Sequence, residues 1–157
     1  MSKDAFLRAL QPVLEALEGL DLREPAKARQ ALAERFPLDG PVLSEARELF
    51  RRGVEQGWLC DRENEGVRFS RVKKAASEAE WSIDAVHMIA PGPGHTHPNG
   101  EVDLCFAVDG NPFFDGNPSG WTVYGPRSWH VPTVAGGSMD ILYFLPGGAI
   151  VFEDRQP

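Results

Sequence analysis

The chain has 157 residues, 42% of them hydrophobic, with 16 Lys and Arg against 23 Asp and Glu and a formal net charge of −7. That length supports one hydrophobic core, or a core with a small helical appendage. No apolar run is long enough to span a bilayer, no apolar signal core follows the N-terminal MSKDAF, and Cys60 and Cys105 lack CxxC spacing, so the sequence predicts an unprocessed cytoplasmic protein with free thiols.

Charge is unevenly spread. Residues 1–74 hold 14 of the 16 basic residues against 13 acids, whereas residues 75–157 hold only Arg127 and Arg155 against 10 acids. A nucleic-acid groove needs clustered positive charge to neutralise phosphates, so the second part is unsuited to one.

In chain order, Phe6, Leu10, Leu14 and Leu17 recur near a helical period, with Pro12 expected to kink or divide the helix. A second helix opens at Pro25 and carries Ala28, Ala31, Leu32 and Phe36. A third opens at Pro41, carries Val42, Leu43, Ala46, Leu49, Phe50 and Val54, and ends at Gly57. Trp58–Cys60 and Val67–Arg71 read as two short strands around a polar turn. Three helices and a hairpin outline a winged helix, with Arg47, Arg51, Arg52, Arg68, Arg71, Lys73 and Lys74 as phosphate contacts. Yet Glu45, Glu48 and Glu55 interleave on the third helix, which favours a solvated face of mixed ion pairs over a DNA surface.

Beyond residue 74 the texture changes, with 11 of the 16 glycines and 9 of the 13 prolines among short β-prone runs. Trp81–Ala90, Glu101–Val108, Trp121–Tyr124, Ser138–Leu145 and Ala149–Glu153 read as strands. The expected fold is α+β: a helical region with a hairpin over 1–74, then a small antiparallel β-barrel of jelly-roll type over 75–157.

Three of the four histidines fall in the order His95-x-His97-x3-Glu101…His130, between turn-forming residues. Residues i and i+2 of a strand share a face, so His95 and His97 can bind one ion, with Glu101 and His130 completing the shell. Such donors suit iron, zinc, manganese, nickel or copper; the alternative is a pair of turn histidines bonded to backbone. Alternation also places Glu101, Asp103, Cys105 and Ala107 on one strand face and Val102, Leu104, Phe106 and Val108 on the other. If Glu101 points inward, the apolar face needs a cover, either the helices or a second subunit in a homodimer.

Gly94-His95-Thr96-His97, Glu101 and a late Gly110 resemble the first cupin motif, G-x5-H-x-H-x3–4-E-x6-G. Gly125-Pro126-Arg127-Ser128-Trp129-His130 resembles the second motif in part, its trailing asparagine being Val134 here. By that resemblance His95, His97, Glu101 and His130 are the metal positions of a cupin. More closely, GHTHPNGEVDLCFAVDG, FFDGNPSGWTVYGPRSWHVPTV and LYFLPGGAIVFE resemble the 4-hydroxylaminobenzoate lyase family. The resemblance implies conversion of 4-hydroxylaminobenzoate to protocatechuate with release of ammonia in bacterial nitroaromatic degradation, with a divalent metal whose identity and requirement stay open. The other readings are a metal-dependent cupin dioxygenase or isomerase, and a non-catalytic cupin that binds aromatic acids.

Such a reaction moves protons at each step. Glu101 and Asp103, two apart on one face, form a pair in which like charge pushes one pKa upward, and with His97 they are the expected catalytic groups; the plainer alternative makes Glu101 a ligand and Asp103 a hydrogen-bonded strand residue. Arg127, the one basic residue near the motifs, is expected to bind the carboxylate of a small aromatic substrate, and Tyr124 to contact its ring. His87 is expected to be a satisfied core histidine, and neither nucleic acid nor membrane is an expected partner.

Overall fold

The computed structural model describes residues 3–153. Among them, three helices come first: α1 (Lys3–Leu17), α2 (Pro25–Arg35) and α3 (Pro41–Gln56). Proline opens α2 and α3 at the first helical position, where no N–H is needed. Gly57 closes α3 in the left-handed region, φ 84°, and its N–H bonds back to the Gly53 and Val54 carbonyls. The helix α1 runs undivided through Pro12, because a buried stripe of Phe6, Leu10, Val13 and Leu17 holds it from both sides of the proline. Among the described residues, no helix is long and apolar enough to cross a membrane.

The strands are β1 (Arg62–Asn64), β2 (Val67–Lys73), β3 (Trp81–Met88), β4 (His95–His97), β5 (Glu101–Phe114), β6 (Gly120–Tyr124), β7 (Ser128–His130), β8 (Val134–Pro146) and β9 (Val151–Phe152). The expected strand at Trp58–Cys60 is absent. The N–H groups of Trp58 and Leu59 both return to the Gly53 carbonyl at 3.0 Å, and Cys60 has φ 54°, so this stretch is the helix terminus and the first strand starts at Arg62.

The strands form two antiparallel sheets, six-stranded in the order β1-β2-β3-β8-β5-β6 and three-stranded in the order β7-β4-β9. The expected barrel is thus an open jelly-roll sandwich rather than a closed cylinder. The hairpin β1–β2 joins the large sheet through β3, with Arg71 opposite Asp84. At the far end of β5, glycine permits a close crossing: a Cβ on Gly137 would lie 1.9 Å from the Asp109 carbonyl oxygen.

Strand alternation separates two cores. Val102, Leu104 and Phe106 pack with Ile83, Ala85, Leu142 and Phe144 against Phe6, Leu10, Leu43 and Phe50 of the helices. Each such side chain contributes about 1.5–3 kcal/mol of burial, and the cover expected over this face is the helical layer. That face therefore gives no support to a homodimer. Trp121 Nε1 donates to the Phe36 carbonyl at 3.0 Å and Arg29 Nε to the Trp121 carbonyl at 2.9 Å, which docks α2 on β6. Arg51 forks onto Asp140 at 2.6 and 2.7 Å, tying α3 to β8. The opposite face of the large sheet, with Val86, Met88, Cys105, Ile141 and Tyr143, turns toward the small sheet. Cys60 and Cys105 are free and buried.

Candidate active site

Two strands and a turn deliver the site. His95 and His97 lie two apart on β4 and share its inner face, and His130 on β7 pairs directly opposite His95. After His97 the chain reverses at Pro98-Asn99-Gly100 and enters β5 at Glu101. Gly100 has φ 89°, and a Cβ there would lie 2.8 Å from Leu22 and 2.9 Å from the Tyr124 carbonyl oxygen, so only glycine makes this reversal. The His97 carbonyl accepts N–H groups from Gly100 at 3.2 Å and Arg127 at 2.7 Å, which joins this turn to the one preceding His130.

His95, His97, Glu101 and His130 each offer a ligand atom within 4.8 Å of the others. Glu101 Oε1 lies 3.5 Å from His95 Nε2, and Oε2 lies 3.2 Å from His97 Nε2 and 3.6 Å from His130 Nε2. These are ion-pair separations without hydrogen-bond geometry: both Glu101 oxygens and His97 Nε2 are buried with no hydrogen-bond partner.

Each ring is oriented from behind. His95 Nδ1 donates to the Pro93 carbonyl at 3.1 Å, which can only accept. His97 Nδ1 meets Ser128 Oγ at 2.9 Å, and that hydroxyl donates to the Gly125 carbonyl at 2.6 Å, so it accepts from the ring. His130 Nδ1 donates to Asp115 Oδ2 at 2.6 Å. Asp115 is held by the Thr133 N–H at 2.8 Å and by the Tyr124 hydroxyl. Three Nε2 atoms therefore converge on one carboxylate, with His130 Nε2 and His95 Nε2 only 3.1 Å apart. Two bare lone pairs at that separation require a cation or a proton between them. The donor set fits a divalent first-row metal.

The electrostatics agree. Burial alone would push Glu101 up, but the imidazoles of His130, His95 and His97 hold it well below the usual carboxylate range. Burial alone would depress His130, yet Asp115 and Glu101 raise it to about 9. Asp103 goes the other way: burial first, then the charge of Glu101, raises it well above its ordinary value, and neither of its oxygens has a partner. Burial and the neighbouring charges thus drive the two carboxyls in opposite directions, Glu101 down and Asp103 up. Asp103 stands opposite Tyr143 on β8, whose buried hydroxyl is also without a partner, and opposite Thr122 on β6.

A family model described as PnbB, 4-hydroxylaminobenzoate lyase, matches residues 9–152. The chain belongs to that family. It is 33% identical over 120 residues to a 4-hydroxylaminobenzoate lyase of Nocardioides sp. (strain LMS-CY), covering 69% of this chain and 71% of that one. To a 4-hydroxylaminobenzoate lyase of Pseudomonas putida it is 28% identical over 147 residues, covering 82% and 84%. A solved RmlC-like cupin protein from Ralstonia eutropha JMP134 overlaps 58% of this chain and 62% of its own at 14% identity, with a TM-score of 0.46.

In this lyase-family chain the structure brings six of the expected residues together. His95, His97, Glu101, His130 and Asp103 share one interior, and Tyr124 stacks on His97 with centroids 5.4 Å apart and lies 4.3 Å from the His130 ring. Arg127 stands apart, exposed in the turn between β6 and β7 at φ 65°. His87 is satisfied on the helix-facing side of the sheet, bonded to Asp140 at 2.8 Å. Three residues that matter escaped the sequence reading. Asp115 lies in the turn after β5, Ser128 inside the partial second motif and Tyr143 within a strand, positions at which no local pattern marks a site residue. A depression of about 630 Å³ on α3, lined by Arg47, Glu48, Arg51, Arg52 and Glu55 among others, has none of the site residues in its wall.

Proposed function

We propose that the chain is a 4-hydroxylaminobenzoate lyase that forms protocatechuate and ammonia. The overall change adds one water and expels one ammonia without net oxidation. It needs an acid for the departing hydroxyl, a base for the incoming water, and a site that stabilises charge between them. The observation that carries the reading is geometric: three histidines converge on the buried Glu101, and Asp103, two residues along the same strand face, is buried with neither oxygen partnered. Burial and the neighbouring charges drive the Asp103 pKa up and that of Glu101 down. Asp103 is placed to give a proton to the N–O oxygen, and with no metal bound the Nε2 lone pair of His97, beside Glu101, is the acceptor for a proton of water. Tyr143 and Tyr124 bound the space and exclude solvent. A divalent metal held by His95, His97, Glu101 and His130 would supply Lewis-acid polarisation of an oxygen substituent. The partner in this reading is a small aromatic carboxylate rather than nucleic acid or membrane, and the free buried thiols suit a reducing cytoplasm.

The test is incubation with 4-hydroxylaminobenzoate under anaerobic conditions, with and without chelator, measuring ammonia and protocatechuate in equal amounts. A three-histidine, one-carboxylate donor set also suits an iron dioxygenase. Oxygen uptake without ammonia would replace the lyase by that activity.

A further inference from the structure

A cleft of about 850 Å³ runs along the inner face of the large sheet and reaches His95 and Tyr143 at one end. Its other end is cationic. The charged residues of its wall are Lys3, Arg62, Arg71 and Lys74 against Asp61 and Asp84. All four cations come from the first 74 residues, whereas residues 75–157 hold 2 basic residues against 10 acids. The N-terminal segment thus supplies the positive charge that the sandwich lacks, and it supplies it inside the cleft.

Strand register makes the arrangement directional. Arg71, Asp84, Tyr143 and Asp103 lie directly opposite one another on the adjacent strands β2, β3, β8 and β5. Arg71 is therefore two strand spacings, about 10 Å, from Tyr143, whose ring is 6.2 Å from that of His95. Beside this polar row run Phe69 and Val86, opposite each other and apolar. Arg71 gives Nε and Nη2 to Asp84, which fixes the plane of its guanidinium. No hydrogen bond of its Nη1 is formed among the described residues, and neither Arg62 nor Lys74 is in an ion pair among them. A fixed guanidinium with a free edge is suited to a carboxylate.

We propose that Arg71, flanked by Arg62 and Lys74, binds the substrate's carboxylate, with the ring over Phe69 and Val86 and the reacting substituent toward His95. This rests on the lyase reading for its substrate but not for its anion site. The role expected of Arg127 passes to the other end of the molecule's inner face.

The experiment compares 4-hydroxylaminobenzoate with its neutral amide, and measures binding of 4-nitrobenzoate, which needs no turnover, by calorimetry. Arg71→Gln is expected to raise KM for the acid at least about tenfold, with kcat and the KM for the amide little changed. The double variant R62Q/K74Q, on exposed side chains that leave the Arg71–Asp84 pair intact, shifts acid over amide in the same direction by a smaller factor. Equal losses on acid and amide in both variants would overturn the proposal, because a structural role does not discriminate charge. Discrimination lost in Arg127→Gln and kept in Arg71→Gln would overturn it as well. If the wild type turns over neither compound yet Arg71→Gln weakens 4-nitrobenzoate binding about tenfold, the anion site stands and the lyase reading falls.

Discussion

Ser128 Oγ lies 2.9 Å from His97 Nδ1 while its own proton is donated to the Gly125 carbonyl at 2.6 Å. The hydroxyl can therefore only accept from the ring, and the lone pair of His97 is forced onto Nε2, facing Glu101. Groups that orient a ligand in this way are typically worth about 10–100-fold in metal affinity. Ser128→Ala should weaken zinc binding to chelator-stripped protein about tenfold, measured by competition with a coloured chelator. Unchanged affinity would show that packing against Tyr124 alone orients the ring.

Both Glu101 oxygens and His97 Nε2 are buried with no hydrogen-bond partner, so no neighbouring group stands in for either when it is lost. His97→Ala and Glu101→Gln should each lower turnover of 4-hydroxylaminobenzoate by at least about a hundredfold, the scale of an acid–base or charge-stabilising group. Asp103→Asn should do the same while leaving zinc binding in place, because Asp103 is not among the four converging ligands. Near-normal rates in these variants would remove the groups from the mechanism.

Local signals made much of this legible. Proline at helix starts and Gly57 at a helix end marked α2 and α3, and period-2 alternation on β5 separated Glu101 and Asp103 from Leu104 and Phe106. The i, i+2 spacing of His95 and His97 placed both on one face, as found. What stayed hidden depends on pairing between distant segments. Arg71 reads as the end of a hairpin strand and one of several scattered basic residues until β2 is seen to pair with β3 and turn it into the cleft. Asp115 reads as a turn residue, and it is one, with φ 49°. Its second role, holding His130, needs β7 beside it, and no local pattern announces that. Trp58–Cys60 looked like a strand because Trp, Leu and Cys are β-compatible, but the carbonyl of Gly53 captures the backbone first.

The anchor of α3 carries its own prediction. Asp140 has a side chain only 1% exposed, paired with Arg51 and His87. Removing one partner of such a pair leaves a buried charge poorly compensated, at a cost of about 3–5 kcal/mol. Because Arg51 is 31% exposed on its side chain, water offsets part of the loss, and Arg51→Met should destabilise by about 3 kcal/mol in urea unfolding. A change below about 1 kcal/mol, the range of surface pairs, would mean that helix packing alone holds α3 on the sheet.

Asp103 gives a pH test that is independent of turnover. Burial and then the charge of Glu101 raise its pKa well above the ordinary value, so the folded chain keeps this proton where the unfolded chain, titrating near about 3.9, has lost it. Between those two pKa values the native state binds more protons than the unfolded one, and stability falls as pH rises. Glu101 acts in the opposite sense: held low, it contributes stability that is complete above its unfolded pKa of about 4.3 and is lost as pH falls through the folded value. That contribution is common to both proteins and largely cancels in a comparison with Asp103→Asn, which keeps the shape of the acid but cannot ionise. Chelator-treated wild type and D103N should therefore have similar urea midpoints near about pH 3 and diverge as pH rises, with the variant the more stable at neutral pH. A variant less stable than wild type at neutral pH would mean that Asp103 is ionised in the fold, and an ionised Asp103 has no proton to give the N–O oxygen.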